Sequence, residues 1–87
     1  MDKKIIELIN NEFKPEFRES VTKELLSIEP KHVMAESEFN LYNTRMSILY
    51  LSKGNIKEVI ELTKCAKIDF RDVIYWANLE KKKNKTI

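Results

Sequence analysis

The sequence has few of the residues that build turns and phosphate-binding loops. Of its 87 residues, only Gly54 is glycine, and only Pro15 and Pro30 are proline. Because β-turns and hairpins draw heavily on these residue types, the composition favours long helices. A glycine-rich nucleotide-binding loop is excluded, since such a loop needs several glycines within a few residues.

Reactive and metal-binding side chains are also scarce. Cys65 is the single cysteine and His32 the single histidine, so no intrachain disulfide can form and a structural zinc site within one chain is not expected. We expect Cys65 to act as a small, inert apolar residue and His32 as a solvated structural residue. The sequence therefore predicts no catalytic, cofactor-binding or metal-binding residues, and we expect that the chain is not an enzyme.

Long apolar runs are missing as well. The runs over residues 48–51 and 73–77 have four and five residues, whereas a membrane-spanning helix needs about 20 apolar residues. The charged start of the chain is not followed by the apolar segment of a secretory signal. We expect a cytoplasmic protein that does not associate with membranes.

Charge is plentiful but unevenly distributed. The formal net charge is +2. Residues 1–43 nevertheless hold six Lys or Arg against nine Asp or Glu, and residues 44–87 hold ten against five. Such polarity aids solubility and steering without defining a partner. The 34% share of charged residues beside 43% hydrophobic residues indicates a globular chain with a thin core.

Apolar residues recur at helical spacing along most of the chain, which predicts an all-α fold. We expect one compact domain over residues 1–80, a bundle of about five helices covering residues 2–13, 15–28, 40–53, 55–67 and 69–80. Residues 29–39 are expected to form a loop with one helical turn, and residues 81–87 a disordered, flexible, lysine-rich tail.

Residues with known end-of-helix preferences support these boundaries. Asp2, Asn55 and Asp69 are suited to N-caps, and Pro15 suits the first turn of the second helix. Gly54 can end the third helix with a positive φ. The third helix should be central, because its apolar stripe is too wide for a single neighbour. Expected core stripes of the second and fifth helices are Phe17, Val21, Leu25 and Ile28, and Phe70, Val73, Ile74 and Ala77.

Residues 46–76 resemble a group of small bacterial all-helical proteins of unknown function. The features that carry the resemblance are a leucine-rich helix, the Ser-Lys-Gly-Asn step at residues 52–55, an amphipathic helix, and the Asp-Phe-Arg-Asp step at residues 69–72. The resemblance covers about the last half of the chain. It implies the helix boundaries given above and no activity.

Aromatic residues provide the main candidate for a functional site. Tyr50 and either Tyr75 or Trp76 fall off the main apolar stripes. Tyr50, Tyr75 and Trp76 are therefore candidates for an exposed patch, because Trp and Tyr dominate binding hot spots. Packing in the core or at its boundary is an equally good interpretation of the same spacing. The patch hypothesis predicts a protein-interaction module or a small regulatory or adaptor protein. It would bind another protein, or itself as a homodimer.

Nucleic-acid binding is the alternative hypothesis. Residues 55–80 have the lengths of a helix-turn-helix, and the basic tail residues Lys81, Lys82, Lys83 and Lys85 could contact phosphates. The turn lacks glycine, however, and Asp69 and Asp72 lie where a recognition helix would approach the phosphates. Capping is the stronger interpretation of these two carboxylates, and interaction with a protein is favoured.

Overall fold

The chain folds into α-helices, as its apolar periodicity predicts. The computed structural model describes residues 1–33 and 38–85, and within these ranges no strand is present. Four α-helices follow one another as α1 (Lys3–Glu12), α2 (Pro15–Leu26), α3 (Glu38–Ser52) and α4 (Ile56–Lys85). A short 3₁₀ helix (Pro30–His32) lies between α2 and α3. The Cα radius of gyration is 12.3 Å, close to the about 12 Å expected for a folded domain of this length.

Side-chain caps fix the helix starts where the sequence predicts them. The Asp2 carboxylate accepts a hydrogen bond of 2.8 Å from the Lys4 amide, and Asn55 Oδ1 accepts one of 2.9 Å from the Lys57 amide. Pro15 is the first residue of α2. These bonds satisfy amides that have no partner within the first helical turn.

Gly54 ends α3 and allows a close approach between two helix ends. Its φ is +79°, a value that residues with a side chain rarely adopt. A Cβ atom at this position would lie 2.8 Å from the Glu12 carbonyl oxygen at the end of α1. Both the backbone conformation and the packing of α1 on this corner therefore require glycine.

The core runs through all four helices and is formed by the apolar stripes that the sequence contains. Phe17 is the exception, since it is 40% exposed although the spacing predicts it in the core. It lies in the first turn of α2, where the chain has just turned away from α1. The buried apolar residues are Ile5, Ile9, Phe13, Val21, Leu25, Ile28, Val33, Leu41, Ile48, Leu49, Val59, Ala66, Phe70, Val73 and Ala77.

Two arginines cap the carboxyl ends of the first two helices. Arg18 donates to the Asn10 and Phe13 carbonyl oxygens at 2.8 and 3.0 Å. Arg45 of α3 donates to Leu25 and Ile28 carbonyl oxygens, both at 3.1 Å. Helix carboxyl ends leave carbonyl groups without partners and carry partial negative charge. Each guanidinium thus accounts for two carbonyl groups and links its own helix to the end of the preceding one.

The predicted fourth and fifth helices are joined in α4, which has a sharp break, so the helix count is four rather than about five. Within α4, Asp69 has the non-helical angles φ −153° and ψ 100°. These angles interrupt the helical course of the backbone, so α4 is kinked at Asp69. One residue makes this kink, without the multi-residue turn that a helix-turn-helix contains.

The prediction of a disordered tail from residue 81 was wrong for residues 81–85, because α4 continues to Lys85. Polar contacts of Lys81 and Asn84 with α3 accompany this extension. Thr86 and Ile87 lie outside the described residues. In the predicted loop over residues 29–39, residues 38–39 belong to α3 and residues 34–37 lie outside the described residues.

The helices make their largest contact between α3 and α4, and α3 also packs against α1. α4 in addition packs against α2 and the 3₁₀ helix, so α4 has more neighbours than the third helix, for which the sequence predicts the central position. Within residues 1–33 and 38–85, no helix combines the length and the apolar character needed to cross a bilayer.

Candidate interaction surface

The break at Asp69 sets the direction of the last part of α4. The Asp69 carboxylate accepts hydrogen bonds of 3.0 Å from the Arg71 backbone amide and from its guanidinium. These bonds with Arg71 lower the pKa of the Asp69 carboxyl. Asp69 is thus the N-cap of a new helical segment. Arg71 therefore pairs with Asp69 in its own helical turn.

One side of this last segment is anchored in the core. Phe70, Val73 and Ala77 are buried, and their spacing of three and four residues places them on one helix face. Tyr75 lies two residues from both Val73 and Ala77, so it projects from nearly the opposite side of the helix. The core contacts therefore hold Tyr75 outward.

The outer face of α4 exposes three large apolar side chains, Tyr75, Trp76 and Leu79. Their exposed fractions are 60%, 40% and 40%. Leu79 follows Tyr75 by four residues and Trp76 by three, the spacings at which helical side chains are neighbours. Ile68, just before the break, is 87% exposed. The last part of α4 thus presents apolar side chains to solvent on a helix held from its other side.

A surface groove of about 450 Å³ runs along this outer face. Tyr75 and Leu79 contribute its apolar lining, and Asn78, Lys81 and Lys82 its polar lining. The Tyr75 and Leu79 side chains lie one helical turn apart, and the two lysines follow toward the carboxyl end of the helix. The groove therefore combines apolar surface with positive charge at one end.

Tyr50 does not share this surface, although the sequence suggested a single patch of Tyr50, Tyr75 and Trp76. The Tyr50 hydroxyl accepts a hydrogen bond of 2.7 Å from Asn84 Nδ2. The Lys81 ammonium lies 5.2 Å from the centre of the Tyr50 ring, within the range of a cation–π contact. Tyr50 is half-buried between α3 and α4. The structure brings Tyr75 and Trp76 together on the outer face of α4, whereas Tyr50 lies at the contact between α3 and α4.

The basic residues expected in the tail lie on the helix. Lys81 and Lys82 line the groove, and the Lys81 ammonium also lies over the Tyr50 ring. Lys83 is exposed. Lys85 is the last residue of α4, and its side chain lies outside the described ones. Helical geometry therefore spreads the basic residues around the axis, about 100° apart from one to the next.

A second depression lies where the ends of α1, α3 and α4 meet. It has a volume of about 410 Å³ and is lined by Glu12, Tyr50, Lys53, Gly54 and Asn84. Burial raises the pKa of the Glu12 carboxyl. Lys53 forms an ion pair of 3.8 Å with Glu80 of α4. Since its polar groups already contact each other across the helices, this depression has a structural explanation.

Other residues considered from the sequence also have structural roles. Nδ1 of His32 accepts a hydrogen bond of 2.9 Å from the Glu29 amide and so caps the 3₁₀ helix. Cys65 is a free thiol, half-buried against the core. Among residues 1–33 and 38–85, no three His, Cys, Asp or Glu side chains are grouped so that they could hold a metal ion.

Sequence analysis missed Leu79 and Asn78 as members of the outer face. Leu79 falls four residues after Tyr75, so helical spacing alone could have added it to the patch. The groove itself has no signature in the sequence, since it depends on which side of α4 the core occupies.

Comparison with family models, with curated proteins and with solved structures identifies no match to this chain. The similarity of residues 46–76 to small bacterial helical proteins therefore stays a prediction.

Proposed function

We propose that this chain is a non-enzymatic protein-interaction module, a small regulatory or adaptor protein, that binds its partner through the outer face of α4. The observation that carries the proposal is the exposure of Tyr75, Trp76 and Leu79 on a helix whose opposite side is buried. Tyrosine and tryptophan contribute strongly to binding when a partner removes them from water. In an unbound protein the same exposure leaves apolar surface in solvent.

The anchoring of α4 supports this role. Val73 and Ala77 are buried, and the polar contacts at Tyr50 hold the helix as far as Asn84. The outer side chains are therefore presented by a backbone that is already ordered. Binding to an ordered helix avoids the entropic cost of folding the segment on contact.

The size of the surface favours a transient complex with another protein over a stable homodimer. Three side chains that are partly exposed offer at most a few hundred Å² of apolar area, whereas a standard interface buries about 800 Å² on each partner. Self-association through this face alone would therefore be weak.

A cytoplasmic location is part of the proposal. The single free cysteine is consistent with it.

Quantitative affinity capture tests the proposed surface. The full chain, Trp76→Ala combined with Tyr75→Ala, and Phe17→Ala are each used as bait in lysate. Phe17 is a matched control because, like Trp76, it is an aromatic residue with 40% exposure. At least one protein should be retained by the original chain and by the control and be lost by the double variant. Identical sets of captured proteins for all three baits would contradict the proposal.

Light scattering after size-exclusion chromatography separates self-association from binding to another protein. We expect a monomer at micromolar concentration. A dimer that Trp76→Ala converts to a monomer would make a second copy of this chain the partner.

Nucleic-acid binding is the second proposal, supported by the placement of Lys81, Lys82 and Lys83 on an ordered helix. Such binding should weaken steeply with salt, because contacts with phosphates release counterions. A titration of labelled duplex DNA at rising salt tests this. Absence of binding at low salt would remove the proposal.

A further inference from the structure

We infer that the partner of the outer face is an acidic amphipathic segment of another protein, seated along the groove lined by Tyr75, Leu79 and Lys82. This inference rests on the proposed function and names the chemistry of the partner. The groove has two kinds of lining, apolar side chains and ammonium groups. A segment that fills the groove needs apolar residues to pack against the apolar side chains and carboxylates to pair with the ammonium groups.

The charge around the groove is positive. Among the described residues, the groove lining contains two lysines, Lys81 and Lys82, and no carboxylate. The Glu80 carboxylate is largely covered, at 28% exposure, and pairs with Lys53 on α3, so it faces away from the groove. The groove end therefore presents lysine to a partner. A segment with carboxylates at the corresponding end is complementary and would associate faster than a neutral one.

The apolar part of the groove argues for a helical or extended peptide over a phosphate chain. Tyr75 and Leu79 lie one turn apart, which matches apolar anchors spaced three or four residues apart on an amphipathic partner. Leucine offers a phosphate backbone nothing to bind. Among the described residues, the groove lining contains no arginine, the residue that pairs with phosphate in a two-pronged geometry. The combination fits a peptide better than a nucleic acid.

A second copy of the chain is a poorer match for this groove. The same face on a second copy contains the same lysines, so it lacks the negative charge that would complement Lys81 and Lys82. Like charges brought together across an interface oppose association. This argues against a symmetric dimer through the groove, and the occupant that we infer is a different protein.

Selection from a displayed library of random 14-residue peptides tests the inference on the full-length protein. The library is selected on the original chain and on Leu79→Asp, and the most enriched peptide is then synthesised and titrated. Leu26→Asp is the matched control, because Leu26 is 49% exposed on α2. Lys82→Glu is compared with Lys67→Glu, the same charge change at an exposed site in the first part of α4. Melting curves establish that each variant is folded.

The inference predicts enriched peptides with apolar residues three or four apart and an excess of Asp and Glu. The Kd of the synthesised peptide should rise at least about tenfold with Leu79→Asp and with Lys82→Glu. It should change less than about twofold with Leu26→Asp or Lys67→Glu. The Kd should also rise with ionic strength, because exposed charge pairs are screened by salt.

Other results would overturn specific parts of the inference. Peptides that depend on Leu79 but are neutral or basic would refute the acidic partner and leave the proposed surface standing. Selection that does not distinguish the original chain from Leu79→Asp would refute both. An oligothymidine that binds more tightly than every peptide, and whose affinity falls with Lys82→Glu but not with Leu79→Asp, would replace the peptide with a nucleic acid.

Discussion

The Asn84 side-chain amide donates a 2.7 Å hydrogen bond to the Tyr50 hydroxyl and so joins the end of α4 to α3. The two residues are 34 positions apart in the sequence. After Ala77, none of residues 78–84 is fully buried, so polar contacts hold this part of the helix. We therefore expect this hydrogen bond to help keep the groove-bearing segment of α4 ordered.

Tyr50→Phe should loosen the last turn of α4 while leaving the core intact. A hydrogen bond of this kind contributes about 1 kcal/mol, and its loss should act locally. Amide hydrogen exchange should accelerate over residues 80–85, with little change in the melting temperature. Tyr75→Phe, which alters an exposed hydroxyl with no hydrogen bond recorded among the described residues, is the control. Equal exchange in both variants would contradict the role of Tyr50.

Arg45→Met should lower the free energy of unfolding by about 2 kcal/mol, because two charge-assisted hydrogen bonds to carbonyl oxygens are lost. Burial lowers the pKa of the Arg45 guanidinium, with Glu38 opposing this effect. Arg45→Lys should recover only part of the loss, since an ammonium cannot reproduce the forked geometry. Urea unfolding measures both, with Lys67→Met as an exposed control expected to change stability by less than about 0.5 kcal/mol. Similar stabilities for all three would contradict the capping role.

Gly54→Ala should destabilise the fold by about 1–3 kcal/mol, the usual cost of holding a residue with a side chain in a rare backbone conformation. The close approach to the Glu12 carbonyl adds to this cost. Denaturant unfolding gives the value, and Lys57→Ala, on the exposed surface of α4, is the comparison. If Gly54→Ala were as stable as that control, the corner would have to be more adaptable than this geometry allows.

Thr63 and Thr44 are both buried but differ in their hydroxyl groups. Thr63 Oγ1 has no hydrogen-bond partner among the described residues, whereas Thr44 Oγ1 donates to the Asn40 carbonyl at 2.7 Å. Thr63→Val should raise the free energy of unfolding by about 1 kcal/mol, because burying an unpaired polar group is unfavourable. Thr44→Val should not raise it. Thermal unfolding of the two variants checks the difference, and a reversed order would show that Thr63 has a partner in solution.

Acid should weaken the cap at the break in α4. Hydrogen bonds from Arg71 lower the pKa of Asp69 in the folded chain. The ionised carboxylate therefore stabilises the fold at neutral pH, and this contribution is lost as the pH falls below the ordinary pKa of an aspartate and through the lowered pKa of Asp69. Unfolding measured from neutral to acid pH should show Asp69→Asn less stable than the original chain at neutral pH, with the gap closing in acid. Parallel curves would mean that the charge of Asp69 does not contribute.

Much of the fold could be predicted from the sequence because its signals are local. Asp2, Asn55 and Asp69 act as caps through bonds that span two or three residues, and Gly54 takes the positive φ that its position suggested. The pattern also placed either Tyr75 or Trp76 off the core stripe, and both are exposed. Phe17 was assigned incorrectly because helical spacing does not show where a neighbouring helix stops covering the stripe.

The amino-acid sequence by itself determined the all-α class, the helix starts and most of the core, since periodicity and capping depend on neighbours a few residues away. Only the tertiary structure decided that Tyr50 faces inward to Asn84 while Tyr75 and Leu79 face solvent. It also decided that residues 81–85 continue a helix, because the contacts with α3 join residues far apart in the chain. Long-range packing selects which side of a helix is covered, and the outer face of α4 follows from that selection.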